Sequence, residues 1–173
     1  MDIFIEEMVK KQKNASAKLL SAGSIVLGIL FVILLFAVIF PLFYQFSSLI
    51  LVLAAVILYG IYTLASSFNV EYEYSLVNSE MDIDQITNRK KRKHLATVSL
   101  HGLEAFGTLK NPDFSHYVQM SEVKKIYACR DKSAEDTFFL VANIGTAKTM
   151  LVFSPSEKIK EQIAKRNPKK PMI

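Results

Sequence analysis

The stretch that decides the fold is LLSAGSIVLGILFVILLFAVIFPLFYQFSSLILVLAAVILYGIYTLASSFNV, residues 19–70. It contains no charged side chain, and the charges that flank it are Lys18 and Glu71. A soluble domain in a chain of 173 residues has no need for 52 consecutive uncharged positions, most of them apolar. A lipid bilayer does, because one membrane-spanning helix takes about 20 apolar residues. The stretch is therefore long enough for two spans.

Pro41 divides this stretch into two halves, Leu19–Phe40 and Phe46–Phe68, each about as long as a bilayer core is thick. Backbone polar groups in lipid must be satisfied within their own segment, so each half is predicted to be a helix. The link Pro41–Ser47 is short, aromatic and uncharged, which suits a turn at the membrane interface. The alternative is a buried hairpin in a soluble helical bundle, but such helices carry a polar face and these halves do not.

The distribution of basic residues predicts the orientation of this transmembrane hairpin, residues 19–68. Four lysines precede the first half, and the basic run Arg89–Lys93 follows the second. The link between the halves has no Lys or Arg. The positive-inside rule then places both termini in the cytoplasm and the link outside. The predicted location is the cell (plasma) membrane, as a multi-pass protein.

Residues 1–18 are predicted to form a cytoplasmic amphipathic leader. Apolar residues recur there at helical spacing between charged ones: Met1, Phe4, Ile5 and Met8. One interpretation is a helix that lies on the inner leaflet. The other is a frayed leader ahead of the first span.

After the hairpin the apolar period changes to two, so residues 69–167 are predicted to form a small, mainly β domain in the cytoplasm. Val70–Leu76 alternates apolar and polar residues and pairs across a turn with a second strand at Met81–Asp84. The segment 101–120 is punctuated by Gly, Asn and Pro and indicates a loop, a short helical turn and one brief strand. The remaining predicted strands are Lys93–Leu100, Val123–Arg130, Thr137–Asn143 and Thr149–Phe153.

A C-terminal helix is predicted from the sequence Ser154-Pro155-Ser156-Glu157, which has the pattern of a capping box with Pro at the first helical position. Ile159 and Ile163 share one face of this helix, and Asn167-Pro168 ends it. The apolar face would cover the open side of a small bent sheet. Residues 168–173 are predicted to be a disordered tail.

About six short antiparallel strands closed by a C-terminal helix is the element order of a pleckstrin-homology-like (PH-like) domain. The layout of hairpin, Val70-Glu71-Tyr72-Glu73-Tyr74, Asp82-Ile83-Asp84, basic tip and capped helix resembles bacterial PH-like membrane proteins. It looks closest to an uncharacterised family of Gram-positive bacteria with two spans and a C-terminal PH-like domain. The resemblance implies a fold but no catalytic residue and no assigned activity. In eukaryotic PH domains a loop between early strands often binds phosphoinositides, whereas this basic run lies between strands two and three.

The candidate binding site is the basic run Arg89, Lys90, Lys91, Arg92 and Lys93. The first strand of the domain starts at the membrane and runs outward for about 25 Å, and the second returns, so the basic run lies near the inner leaflet. Each Lys or Arg there attracts an anionic surface by about 1 kcal/mol, which makes anionic headgroups the expected ligand. The alternative is a solvated turn that only sets topology. The chain has a formal net charge of +5, but the run is short and diluted by acidic neighbours, so nucleic acid is not expected.

The other polar residues show no recognised catalytic or metal-binding motif, and no cofactor is predicted. Glu80, Asp82 and Asp84 share a strand face, but without the Gly turn of a calcium loop they indicate a solvated face. The three histidines lack the spacing of zinc ligands. Cys129, the only cysteine, is predicted to be a buried inert thiol in a reducing compartment.

The sequence therefore predicts a membrane-anchored, non-enzymatic interaction or scaffolding protein whose PH-like domain docks on anionic lipid. The two halves of the hairpin lack ionisable side chains, so anchoring is their expected role, and Ser24-xxx-Gly28 also allows close packing or self-association. One alternative is an accessory subunit of a larger membrane complex with an unknown membrane-protein partner. Another is an enzyme with an unrecognised site in the cytoplasmic domain, which a deep pocket with converging polar groups would support.

Overall fold

The computed structural model describes residues 3–167, which form two units. The helical unit is Lys13–Asn69, and the β unit consists of residues 3–12 and 70–167. The helical unit is therefore an insertion in the sequence of the β unit. The predicted tail 168–173 lies outside the described residues.

The helical unit contains two helices that are long and apolar enough to cross a membrane. The first apolar helix is Ala15–Leu42 with a mean hydropathy of 3.2, and the second apolar helix is Tyr44–Ser67 with 2.3. The first comprises α1 (Ala15–Leu34), a π-helical turn (Leu35–Ile39) and α2 (Phe40–Leu42); the second comprises a 3₁₀ turn (Tyr44–Phe46) and α3 (Ser47–Ser67). The prediction of two apolar helices is confirmed, with the first starting four residues earlier than expected.

The prediction that Pro41 divides the two helices is wrong, because Pro41 lies inside α2. A proline ring collides with the carbonyl four residues earlier, here that of Ala37, and supplies no N–H. The wider π-helical turn before Pro41 accommodates such a residue without ending the helix. The break follows at Phe43, whose φ of −128° and ψ of 42° are not helical.

The two apolar helices pack on each other through a close approach at Gly28. A Cβ atom at this position would lie 2.0 Å from Cδ1 of Ile61, so only glycine fits without moving that side chain. Leu35, Ile50 and Ala54 are buried in the same pair. The glycine of the predicted Ser24-xxx-Gly28 spacing is thus used within one chain.

Phe4–Lys10 forms β1, a strand of the β unit, so both interpretations of the leader, an amphipathic helix and a frayed segment, are wrong for these residues. β1 pairs antiparallel with β2 from Phe4 opposite Val77 to Lys10 opposite Glu71. The side chain of Val9 is buried and that of Ile5 packs against the core, so alternate residues face inward. The helical spacing of its apolar residues did not predict this structure, because β2, the strand that pairs with β1, follows both apolar helices in the sequence.

The first sheet has the strand order β1-β2-β3-β4 and is antiparallel throughout. Its other strands are β2 (Val70–Val77), β3 (Glu80–Thr87) and β4 (Lys91–Ser99). The predicted hairpin of β2 and β3 is confirmed. Val77 lies opposite Glu80 across a turn in which Asn78 has a φ of 54°.

The second sheet has the order β5-β7-β8-β6, and its pair β6–β8 is parallel, contrary to the prediction of antiparallel strands only. The reason is that the chain between β6 and β7 crosses to the far side of β8. Each sheet has four strands, so the described residues form eight strands, more than the six that were predicted. The strands are β5 (Ala105–Thr108), β6 (Lys124–Ala128), β7 (Phe138–Ile144) and β8 (Ala147–Phe153).

The two central strands of the second sheet, β7 and β8, are buried on both faces along most of their length, which explains their nearly continuous apolar runs. Between β5 and β6 lies α4 (Pro112–Gln119), whose Phe114 and Tyr117 pack on one face. The main core lies on the other face, between the two sheets and α5 (Glu157–Arg166). The predicted inward face of the last helix is confirmed. The fully buried members of this core are Tyr74, Leu76, Met81, Ile83, Leu100, Ala128, Leu140, Leu151, Phe153, Ile159 and Ile163.

The predicted capping box at the start of α5 is wrong. The N-cap is Ser156 instead of Ser154, and its side chain does not cap the helix. The Ser156 hydroxyl donates to the carboxylate of Glu7, and the Ser156 N–H donates to Glu7 Oε2 at 3.2 Å. A carboxylate from β1 therefore satisfies the start of the C-terminal helix, where negative charge is favourable.

Candidate functional site

The candidate basic run spans the β3–β4 turn and the start of β4. Asn88 and Arg89 have φ values of 52° and 53°, which the tight turn requires. Thr87 lies opposite both Val70 in β2 and Lys91 in β4. The basic run is therefore at the end of the first sheet from which the chain leads to the second apolar helix, as the predicted return of the second strand requires.

The two arginines of the run are held by carboxylates on the outer face of the first sheet. Arg92 Nη2 lies 2.7 Å from Glu73 Oε2, and its Nη1 lies 3.5 Å from Asp84 Oδ2. Glu73 is only 6% exposed, so this pair compensates a buried charge. Arg89 Nε lies 3.5 Å from Glu71 Oε1. Both guanidinium groups thus have internal partners.

The lysines of the run are different. Lys90, Lys91 and Lys93 are exposed, and no ion pair to any of them exists in the part of the chain that the structure describes. Their amino groups carry positive charge that the fold does not neutralise. The five predicted site residues therefore separate into two paired arginines and three exposed lysines, a distinction that needs the strand register.

Two further lysines lie at the same end of the sheet and were not predicted as site residues. Lys10 is the last residue of β1 and lies opposite Glu71. The Lys11 N–H donates to the Val70 carbonyl oxygen at 3.0 Å, and both lysine side chains are exposed. Sequence reasoning assigned them to a separate leader, and only the pairing of β1 with β2 brings them to this end.

The outer face of the first sheet carries a connected set of polar side chains. Asp84 Oδ1 lies 2.9 Å from His94 Nδ1, and His94 Nε2 lies 3.2 Å from Thr97 Oγ1. The Thr97 hydroxyl donates to Asp82. Of the predicted carboxylate row, Asp82 and Asp84 are thus engaged by side chains of β4, and Glu80 is exposed at the start of β3. Residues 3–167 contain no group of three or more side chains placed to hold a metal ion.

Buried polar groups join the two sheets. The Tyr74 hydroxyl donates to the Ala128 carbonyl oxygen and accepts from the Ser154 N–H at 3.2 Å. Burial raises the pKa of Tyr74, so the phenol stays protonated. Cys129 is 5% exposed, as predicted, and burial raises the pKa of its thiol, which keeps it unreactive at neutral pH.

An open groove of about 260 Å³ lies between the loop after β5 and the loop before β7. Its polar side chains bond mainly to each other and to the loop: Lys110 Nζ lies 3.2 Å from Glu135 Oε1, and the Ser133 hydroxyl donates to Asp131. The two hydrogen bonds from Ser133 lower the pKa of the Asp131 carboxyl. The groove is thus a loop surface stabilised by its own contacts.

Comparison with known proteins gives one family. The family model described as Bacterial PH-like domain (DUF6106) matches residues 1–173. No curated protein and no solved structure matches the chain. The match includes β1 and both apolar helices, so the family domain is not confined to the C-terminal part of the chain as predicted. Antiparallel strands followed by a closing helix are consistent with a PH-like fold, and the chain belongs to the DUF6106 family of bacterial PH-like domains.

Proposed function

We propose that this protein is a membrane-anchored, non-enzymatic interaction module. In this proposal the two apolar helices cross the plasma membrane and hold the β unit at its cytoplasmic face. The β unit then presents its outer surfaces and its basic end to partners at the membrane.

The observation that carries the proposal is the pairing of β1 with β2. β1 precedes the first apolar helix and β2 follows the second, yet Phe4–Lys10 is paired along its whole length with Glu71–Val77. A single crossing would put the two strands on opposite sides of a bilayer. The pairing therefore permits two crossings or none, and it supports a hairpin independently of hydropathy.

The surface of the helical unit favours two crossings over none. Outward-facing apolar side chains cover both helices along their length, and Leu27 and Leu49 are 69% and 66% exposed. An apolar surface of this extent is not stable in water, whereas a lipid bilayer covers it without a partner protein. The excess of Lys and Arg at the ends of the hairpin supports a cytoplasmic β unit.

What supports a non-enzymatic role is the use of polar side chains within the β unit. The hydroxyl of Tyr74 connects the two sheets, and Ser156 binds Glu7. Arg92 bonds to Glu73 and Asp84 in the first sheet. These groups stabilise the fold, and what they leave for partners is the charged surface.

The experiment is a topology measurement on the full chain in bacterial cells, in a Cys129→Ser background. A single cysteine is introduced at Gln45 in the link or at Glu80, the exposed first residue of β3. We expect a membrane-impermeant thiol reagent to label Gln45→Cys in intact cells and Glu80→Cys only after permeabilisation.

Two results would contradict the proposal. Release of the chain from membranes by alkaline carbonate would show that the helices do not cross the bilayer. Labelling of Glu80→Cys in intact cells would reverse the orientation. A Glu80→Ser chain, which lacks the thiol, is the control for background labelling.

A further inference from the structure

We propose that Lys10, Lys11, Lys90 and Lys91 form one contact surface, the lysine rim, that binds the anionic headgroups of the membrane in which the helices are anchored. The inference rests on the proposed function, because it needs the helices in a bilayer. It names the partner as an anionic lipid surface and moves the contact away from the arginines of the basic run.

Strand register brings the four lysines together although about eighty residues separate the two pairs in the chain. Lys10 lies opposite Glu71, and Lys91 lies opposite Thr87, which lies opposite Val70. The lysines therefore stand on both sides of the start of β2, along one end of the sheet. Four strands about 4.8 Å apart make this rim roughly 15 Å wide.

The chain itself limits how far the rim can be from the anchoring helices. Val70 follows Ser67, the last residue of α3, by three residues, and Gln12 precedes Ala15, the first residue of α1, by three. Three extended residues span at most about 10 Å. This distance is close to the Debye length at physiological ionic strength, about 8 Å, so charges at this end of the sheet are attracted to an anionic surface.

The opposite end of the first sheet is too far away to take part. β2 runs for eight residues from Val70 to Val77, which is roughly 25 Å. The Asn78 N–H donates to the Ile3 carbonyl oxygen there, and the Arg166 guanidinium donates to the Asn78 carbonyl oxygen. The length of β2 thus separates the lysine rim, which reaches the lipid surface, from the end of the sheet at Asn78, which does not.

The rim consists of lysines because the neighbouring arginines are occupied. Arg92 is bound to Glu73 and Asp84, and Arg89 lies beside Glu71, the acidic residue opposite Lys10. The ion pair with Arg89 reduces the repulsion that Glu71 would exert on a headgroup phosphate. Lys93 lies opposite Gln85, two pairs further along β4 than Lys91, and is outside the rim.

The test uses the full chain in lipid nanodiscs of phosphatidylcholine alone or of phosphatidylcholine with phosphatidylglycerol. Lysines are acylated with a water-soluble ester, and the rate at each site is read by mass spectrometry. We expect the anionic lipid to slow labelling of the rim lysines roughly five-fold, the factor that corresponds to the usual attraction of one lysine.

Two exposed lysines that lie away from the rim, Lys124 and Lys165, are the internal controls. Lys124 is the first residue of β6, and it is the chain beyond the other end of β6 that approaches the rim, where the Gln12 N–H donates to the Arg130 carbonyl oxygen. Lys165 is next to Arg166 at the far end of the first sheet. Their labelling rates should be equal in the two lipids. Slowing of Lys124 and Lys165 by the same factor would overturn the rim, because the effect would then be general.

Variants sharpen the result. Lys90→Gln with Lys91→Gln should reduce the protection of Lys10 and Lys11 by anionic lipid, because the two pairs share one surface. The matched variant Lys124→Gln with Lys165→Gln should leave that protection unchanged.

The outcomes separate the rim from the anchor. A chain that stays in the nanodiscs but shows equal labelling of the rim in both lipids overturns the rim and leaves the anchor. A chain that does not enter nanodiscs of either lipid overturns both.

Discussion

Leucine occupies opposite positions in the two units of this protein. In the β unit Leu140 and Leu151 are fully buried, whereas in the helical unit Leu27 and Leu49 are more than 60% exposed. The same side chain thus turns toward the protein in one unit and away from it in the other. This difference is what the proposed function requires, with water around the β unit and lipid around the helical unit.

Hydroxyl groups differ between the units in the same way. In the helical unit the hydroxyls of Ser24, Thr63 and Ser67 donate to carbonyl oxygens three residues earlier in their own helices. In the β unit Tyr74 and Ser156 bond to distant elements. A segment that satisfies its polar groups internally is suited to lipid, and one that uses them across elements specifies a tertiary fold.

The largest expected effect comes from the same substitution in both units. Leu151→Ala should destabilise the β unit by about 2–5 kcal/mol, because it leaves a cavity in a closed core. Leu49→Ala should lower the free energy of unfolding by less than about 1 kcal/mol if lipid surrounds the helical unit, because lipid then fills the space. Reactivity of Cys129 in chemical denaturant reports opening of the β unit in both variants. Equal effects of the two substitutions on the free energy of unfolding would break the comparison.

A charge on the outer surface of the first apolar helix tests the medium directly. Leu27→Arg, near the helix centre, should reduce insertion by about 3 kcal/mol if lipid surrounds it. Leu19→Arg, nearer the end, should have a smaller effect because arginine reaches the interface. The measurement is the fraction of chain that resists carbonate extraction. Unchanged insertion of Leu27→Arg would show that this surface faces water.

The hydrogen bonds of Tyr74 provide a smaller effect, confined to the β unit. Tyr74→Phe leaves the Ala128 carbonyl oxygen and the Ser154 N–H without this partner, which should cost about 1–3 kcal/mol. Thermal unfolding in detergent, followed by circular dichroism, checks this value. A melting temperature equal to that of the wild type would show that the hydroxyl is dispensable.

The same tyrosine predicts a dependence on pH. Burial raises the pKa of Tyr74 above that of an unfolded tyrosine, about 10. Its contribution to stability is complete below pH 10 and is lost as pH rises through the higher folded pKa. Tyr74→Phe should therefore lose less stability in alkali than the wild type does. Some loss should remain, because burial also raises the pKa of Tyr72.

The smallest effect concerns contact between the two apolar helices. Gly28→Ala forces the Ile61 side chain to move and should weaken their packing by about 1 kcal/mol. Gly60→Ala is the matched control, because a Cβ there meets no atom within 4 Å. Stepwise denaturation with sodium dodecyl sulfate compares the two. A greater loss in Gly60→Ala would contradict the packing seen here.

Features set by local sequence were predictable. The uncharged stretch 19–70, the alternation in Val70–Leu76 and the shared face of Ile159 and Ile163 each depend on neighbouring residues. The structure has apolar helices, a strand and an inward helix face at these places.

What could not be predicted depends on distant partners. The sequence of β1 predicted a helix because β2, its strand partner, comes only after both apolar helices. β6 was predicted to be antiparallel because nothing in its local sequence indicates that it pairs with β8. The cap of α5 comes from Glu7, about 150 residues away. The candidate site followed the same rule, since Arg89–Lys93 was visible as a run but its division into paired and exposed charges was not.

The position of β1 before the hairpin has a consequence for synthesis on the ribosome. β1 leaves the ribosome before both apolar helices, but its partner β2 is made only after the 59 residues from 11 to 69. At about 5–20 residues per second this delay is roughly 3–12 s. The unpaired strand must remain soluble during this time, and its two glutamates, Glu6 and Glu7, discourage association with other chains. In the proposed membrane-anchored protein, the β unit is completed only after both apolar helices have been synthesised, so their insertion would precede final folding.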